Sequence, residues 1–163
     1  MKLSHPALPL ALASLLGAAC EPDVEDLEVA AAIEGATLSI KKSPFGTADA
    51  PQGTPEGAFT LTLSLGKYAS GGSDVTVQQF AVVSAASEEA LLAPVLLQPG
   101  APASFRVEVD STQRYTYTLG HDKPVPVGAL CAAGQVRYTG TILDGARGKT
   151  TPVTSGPIVV SCP

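Results

Sequence analysis

The chain has 163 residues, enough for one domain with its own core, and 45% of them are hydrophobic. Sixteen Gly and fourteen Pro are spread without a period, and there is no Trp; this excludes a collagen repeat and suits many short strands joined by turns. The net charge is −5, with six acids and no base between Glu21 and Glu34, whereas from Gly35 onward nine acids meet nine bases. No basic stripe exists to release counterions from phosphates, so nucleic acid is excluded as a partner.

In chain order, Lys2 is followed by an apolar run from Ala7 to Ala19 and then by Cys20. A positive start, about a dozen apolar residues and small residues at the end form a secretory signal, too short for a spanning helix. Leu15-Leu16-Gly17-Ala18-Ala19-Cys20 resembles the lipobox of bacterial lipoproteins. The resemblance covers the first twenty residues. It implies cleavage before Cys20, a diacylglyceryl group on its thiol, an acylated amine and attachment to the membrane through that lipid. Glu21 after the cysteine implies sorting to the outer rather than the inner membrane. Gly17-Ala18-Ala19 also suits the ordinary signal peptidase, which leaves plain secretion as the alternative.

Three cysteines are present, Cys20, Cys131 and Cys162. If Cys20 carries lipid, the other two are expected to pair in an oxidising compartment. With no histidine at ligand spacing they do not make a zinc site.

Residues 20–35 read as a solvated acidic tether, and the folded domain is expected over 36–163. Thr37 to Lys41 alternates with Leu38 and Ile40 inward. A connection rich in Pro44, Gly46, Pro51, Gly53, Pro55 and Gly57 is expected to lack regular structure. Ala58 to Leu65 is the clearest strand, with Phe59, Leu61, Leu63 and Leu65 on one face. Val75 to Val83 forms another, whose change of parity calls for a bulge at Gln78-Gln79. Further strands are expected at Leu91–Leu97, Ala103–Val109, Tyr115–Leu119, Val136–Asp144 and Ile158–Cys162. Seven or eight short strands without a helix predict an all-β, two-sheet antiparallel sandwich of immunoglobulin or fibronectin type with one disulfide.

Candidate chemistry is sparse. Gly145 to Thr150 approaches a phosphate-binding loop, but the first glycine of that motif would fall at Leu143, and the segment reads as a hairpin turn. His121, beside Asp122 in a Gly/Pro-bounded turn, is the one histidine after the signal and the only basis for a hydrolase reading. Asp49 and Asp74 are isolated oxygen donors for calcium. Tyr115, Tyr117 and Tyr138 alternate with threonines as core residues do, and Tyr138 suits a corner tyrosine bonding to backbone. No cofactor is expected. The expected role is a non-enzymatic, membrane-tethered interaction or structural module of the cell envelope with a protein or glycan partner; small-molecule binding is the second reading.

Overall fold

The computed structural model describes residues 27–48, 50–95, 103–119 and 124–163. Along the chain lie β1 (Val29–Gly46), β2 (Pro51–Leu65), β3 (Ser73–Ser84), β4 (Ala90–Leu92), β5 (Ser104–Val107), β6 (Ser111–Thr118), β7 (Val125–Pro126), α1 (Gly128–Ala133), β8 (Gln135–Asp144), β9 (Lys149–Thr154) and β10 (Ile158–Val159). One sheet has the order β1-β2-β6, with β7 also pairing with β2; the other has the order β10-β8-β3-β4, with β9 also on β8 and β5 also on β3. All strand pairings are antiparallel. The ten strands fall into seven rows, because β6 with β7, β4 with β5 and β9 with β10 each line one side of a common neighbour. Three rows face four, an immunoglobulin-like sandwich of fibronectin type.

Period-two patterning decides which face is buried. In β2, Phe59, Leu61, Leu63 and Leu65 point into the core, while Thr60, Thr62 and Ser64 stay half-buried on the outer face. In β8, Val136, Tyr138 and Ile142 do the same. Phe59 forms the hub, its ring centroid 5.0 Å from both Phe80 and Tyr138 and 5.4 Å from Tyr117. The bulge expected in β3 is present: Val77 pairs with Ile142 and Phe80 with Gly140, so Gln78 and Gln79 together face Thr141.

Two expectations are corrected. The acidic tether does not extend to Gly35, because β1 begins at Val29 and pairs residue by residue with β2 from Val29↔Leu65 to Glu34↔Thr60. Val29 and Ile33, 3% and 8% exposed, are core residues, and burying two β-branched side chains outweighs the acidity of the segment. The alternation of this strand is broken in sequence because Gly35, at φ +60°, opens a bulge before Thr37↔Ala58. The proline-rich connection is also ordered: β1 continues to Gly46, and β2 starts at Pro51 and includes Pro55. Pro51 accepts from Val127 N–H (3.1 Å) and Gly57 from Leu119 N–H (2.9 Å), both on the side away from β1. By the same parity the missing N–H of Pro55 falls on that side, where β6 and β7 break, so the β1 ladder loses nothing.

Smaller differences follow from local chemistry. A single helical turn, α1, forms where no helix was expected, and Leu130 anchors it in the core. The strand expected from Tyr115 starts at Ser111. Of the strand expected over Leu91–Leu97, β4 covers Ala90–Leu92, and Leu96 and Leu97 lie outside the described residues.

Candidate functional site

The sandwich has two poles. At one, β1 begins at Val29 beside the end of β2 and the start of β6. At the other, the β1–β2 hairpin tip lies near α1 and the chain's end, since all three line one groove. Cys20 and His121, with Asp122 and Asp49, lie outside the described residues, so the lipid site and the hydrolase reading receive no geometry.

Cys131 in α1 and Cys162 after β10 are joined by a disulfide, with S–S 1.96 Å and Cα–Cα 5.9 Å. It does not cross the sheet centres. It straps the chain's last segment, which also bonds to both halves of the molecule. Val160 N–H donates to Gly134 O (3.0 Å), Ser161 N–H to Leu38 O (3.1 Å), and Ile40 N–H to Ser161 O (2.7 Å). The last two bonds make a parallel bridge between Ser39 and Ser161, so a segment that starts in one sheet ends against the other.

Tyr138 reaches across the sandwich in the opposite sense. Its hydroxyl donates to the Thr37 carbonyl at 2.9 Å, and the Thr37 hydroxyl accepts Ala58 N–H at 3.3 Å. Gly57 makes room for this contact: a Cβ there would stand 2.4 Å from the Tyr138 hydroxyl and 2.5 Å from the Thr37 carbonyl. The backbone bond of a corner tyrosine is therefore present, but to a strand 101 residues away. Burial pushes the Tyr138 phenol well above its usual range, and Tyr117 likewise, with Tyr115 adding to the shift there. Neither titrates near neutrality.

Asp144 is the buried carboxylate among the described residues. It accepts from the Ser73 hydroxyl, from Arg147 N–H (3.3 Å) and from the Arg147 guanidinium (3.2 Å). Burial raises its pKa, but these donors and the Arg147 charge more than offset that and hold it below 3.8. It stays ionised and clamps the β8–β9 turn, with Ser73 also accepting Ala146 N–H (3.3 Å). Gly145 to Thr150, the near match to a phosphate loop, is this hairpin. The sequence reading places Asp144 at the end of a strand without its burial; the signal for that burial is its inward parity with Ile142.

Among the described residues no group of three or more His, Cys, Asp or Glu is placed to hold a metal, and Asp74 is turned to Arg106 at 3.4 Å. Two of the open surface features adjoin residues already named. A groove of about 480 Å³ at the distal pole is lined by Phe45, Pro51, Val127 and the disulfide, with Phe45 68% exposed. A shallow trough of about 570 Å³ crosses the outer face at the β3 bulge, between Gln78, Gln79, Pro94 and Thr141.

No known protein family matches the chain, and no curated protein matches it. Among solved structures, the X-ray structure of Northeast Structural Genomics Consortium target SoR45 is similar at 8% identity, covering 83% of this chain and 87% of that one, with a TM-score of 0.40.

Proposed function

We propose that the chain is a lipid-anchored, non-enzymatic interaction or structural module of the bacterial cell envelope. The observation that carries this reading is the pairing of Cys131 with Cys162, which leaves Cys20 as the odd cysteine at the end of an apolar signal. A disulfide belongs to an oxidising compartment, and a lipobox-type cysteine has a fate other than pairing. Leu27 lies seven positions after Cys20, so the pole where β1 begins stands within about 25 Å of the lipid. The distal hairpin and the sheet edges then face outward to an envelope protein or glycan. Sorting to the outer membrane follows from Glu21 by the same resemblance.

The test is mass spectrometry of the N-terminal peptide from purified envelopes. Diacylglyceryl and acyl groups on Cys20 are expected, and Cys20→Ser should abolish lipid labelling and leave precursor. An unmodified thiol, or a mature start elsewhere, replaces the anchor with plain secretion.

A second reading, small-molecule binding, is favoured by one observation, the groove beside Phe45 and the disulfide. Its walls combine apolar Phe45, Pro51 and Val127 with Lys42, Ser43 and Gln52, which suits a small amphipathic ligand. Phe45→Ser should abolish saturable binding of such a ligand; a variant that binds it unchanged ends this reading.

A further inference from the structure

Sheet edges invite other strands, and proteins guard them with bulges, prolines, charges or short length. Among the described residues the two sheets have four edges, and three of them are guarded. β1 carries the bulge after Glu34 and, farther on, the bridge from Ser161. β9 and β10 are short, with Pro152 in the first and Pro157 just before the second. β4 and β5 have three and four residues, and Pro94 follows β4. β6 is different: eight residues, no proline, an unbroken register with β2 and one charge, Arg114.

The direction of its free groups can be read from one bond. Leu119 N–H donates to Gly57 O on the β2 side, and the N–H and C=O groups of successive residues alternate sides. Ser111, Gln113, Tyr115 and Tyr117 therefore bond to β2, while Thr112, Arg114, Thr116 and Thr118 turn their N–H and C=O groups to the open edge. Among the described residues no backbone hydrogen bond reaches that edge, and the same four side chains are exposed.

We propose that β6 pairs antiparallel with β6 of a second copy, about a twofold axis through Tyr115, joining two three-row sheets into one six-row sheet. Facing residues must share a face, so registers differ in steps of two. With the axis at Tyr115, Arg114 faces Thr116 and Thr112 faces Thr118 of the second copy, and these even-numbered pairs carry the hydrogen bonds. An axis at Arg114 sets two guanidiniums opposite each other, which is unfavourable. Within one copy Arg114 already lies 3.9 Å from Glu34, so its charge is compensated, and the Thr60–Thr116 hydroxyl pair (3.3 Å) continues as a threonine row across the junction. Tyr115 at the axis is held by ring contact with Phe105, 3.8 Å between centroids and tilted by 32°. One strand pair covers little area, so association is weak, and tethering in one membrane would raise the effective concentration. The inference rests on the interaction-module reading and names one of its partners; it does not depend on the lipid.

The experiment uses the mature chain made without residues 1–19 and carrying Cys20→Ser, in sedimentation velocity from about 5 to 500 µM. A concentration-dependent dimer is expected. Thr116→Lys, which sets an ammonium opposite Arg114 of the second copy, should weaken it at least tenfold, and Thr116→Glu should tighten it. Amide exchange at Thr112, Arg114, Thr116 and Thr118 should slow as concentration rises. A monomer at every concentration, or a dimer indifferent to both substitutions, overturns the pairing. So does protection of those four amides only when envelope extract is added, which assigns the edge to another partner. None of these outcomes touches the mass of the Cys20 peptide, so the anchor stands or falls separately.

Discussion

Tyr138, Thr37 and Gly57 form one unit across the core. Tyr138→Phe leaves the Thr37 carbonyl without that donor in a part-buried site, at a cost of about 1–2 kcal/mol by chemical denaturation. Gly57→Ala should cost more, because the added methyl meets a hydroxyl and a carbonyl well inside contact distance. The double variant should cost less than the sum, since removing the hydroxyl relieves half of the clash; strict additivity would show that the three residues do not act together. Asp144 sets a pH dependence. Its folded pKa lies below the free value of 3.8, so its contribution is complete above that value and fades as pH falls toward the folded pKa. Asp144→Asn should flatten the acid limb of the stability curve, read as denaturation midpoint against pH between about 2 and 6. At this scale the sequence was legible for side-chain direction, as in Tyr138 alternating with Thr139. The partner of the Tyr138 hydroxyl was not, because a contact over 101 residues leaves no local trace.

β1 is the element on which sequence and structure part most. Its first turn of residues looked like a charged tether, and on that reading deleting Asp23 to Glu34 would leave the melting temperature within about 2 °C. The structure reverses this expectation for Val29 to Glu34, which form ladder pairs and bury Val29 and Ile33. Losing two such side chains costs roughly 3–6 kcal/mol, so deleting Val29 to Glu34 should lower the midpoint by about 10 °C or more. The strand was hidden because Gly35 and Ala36 shift its parity and small alanines dilute its apolar face. β2, by contrast, was plain from Phe59 to Leu65, where nothing interrupts the alternation. The strap made by Cys131–Cys162 acts on the last element. Reduction, or Cys131→Ala with Cys162→Ala, should lower stability by roughly 2–4 kcal/mol, with amide exchange quickening first at Val160 and Ser161. Uniform quickening through Phe59, Leu61 and Leu63 would show that the bridge supports the whole core instead.

For the whole molecule, the two-sheet architecture was readable from alternation and turns, and the disulfide from setting the lipobox-like Cys20 apart from the other two cysteines. The open edge was not, since which strand ends a sheet depends on topology rather than on the residues of that strand. β6 reads like its neighbours; the absence, among the described residues, of a row beyond it gives Arg114 and Thr116 their meaning. The long β1–β2 ladder has a mechanical consequence. A lipid at the N-terminus and a partner gripping the second sheet would pull along the axis of β1, so the hydrogen bonds from Val29↔Leu65 to Lys42↔Gly53 bear load together in shear rather than opening one by one. The same chain drawn through its C-terminus meets the two pairs of β10, the Val160–Gly134 bond, the Ser161 bridge and the disulfide. Single-molecule extension should show a high rupture force from the N-terminal end and, once Cys131–Cys162 is reduced, a much lower one from the C-terminal end, making this sandwich a strut that resists tension from the side on which a membrane would apply it.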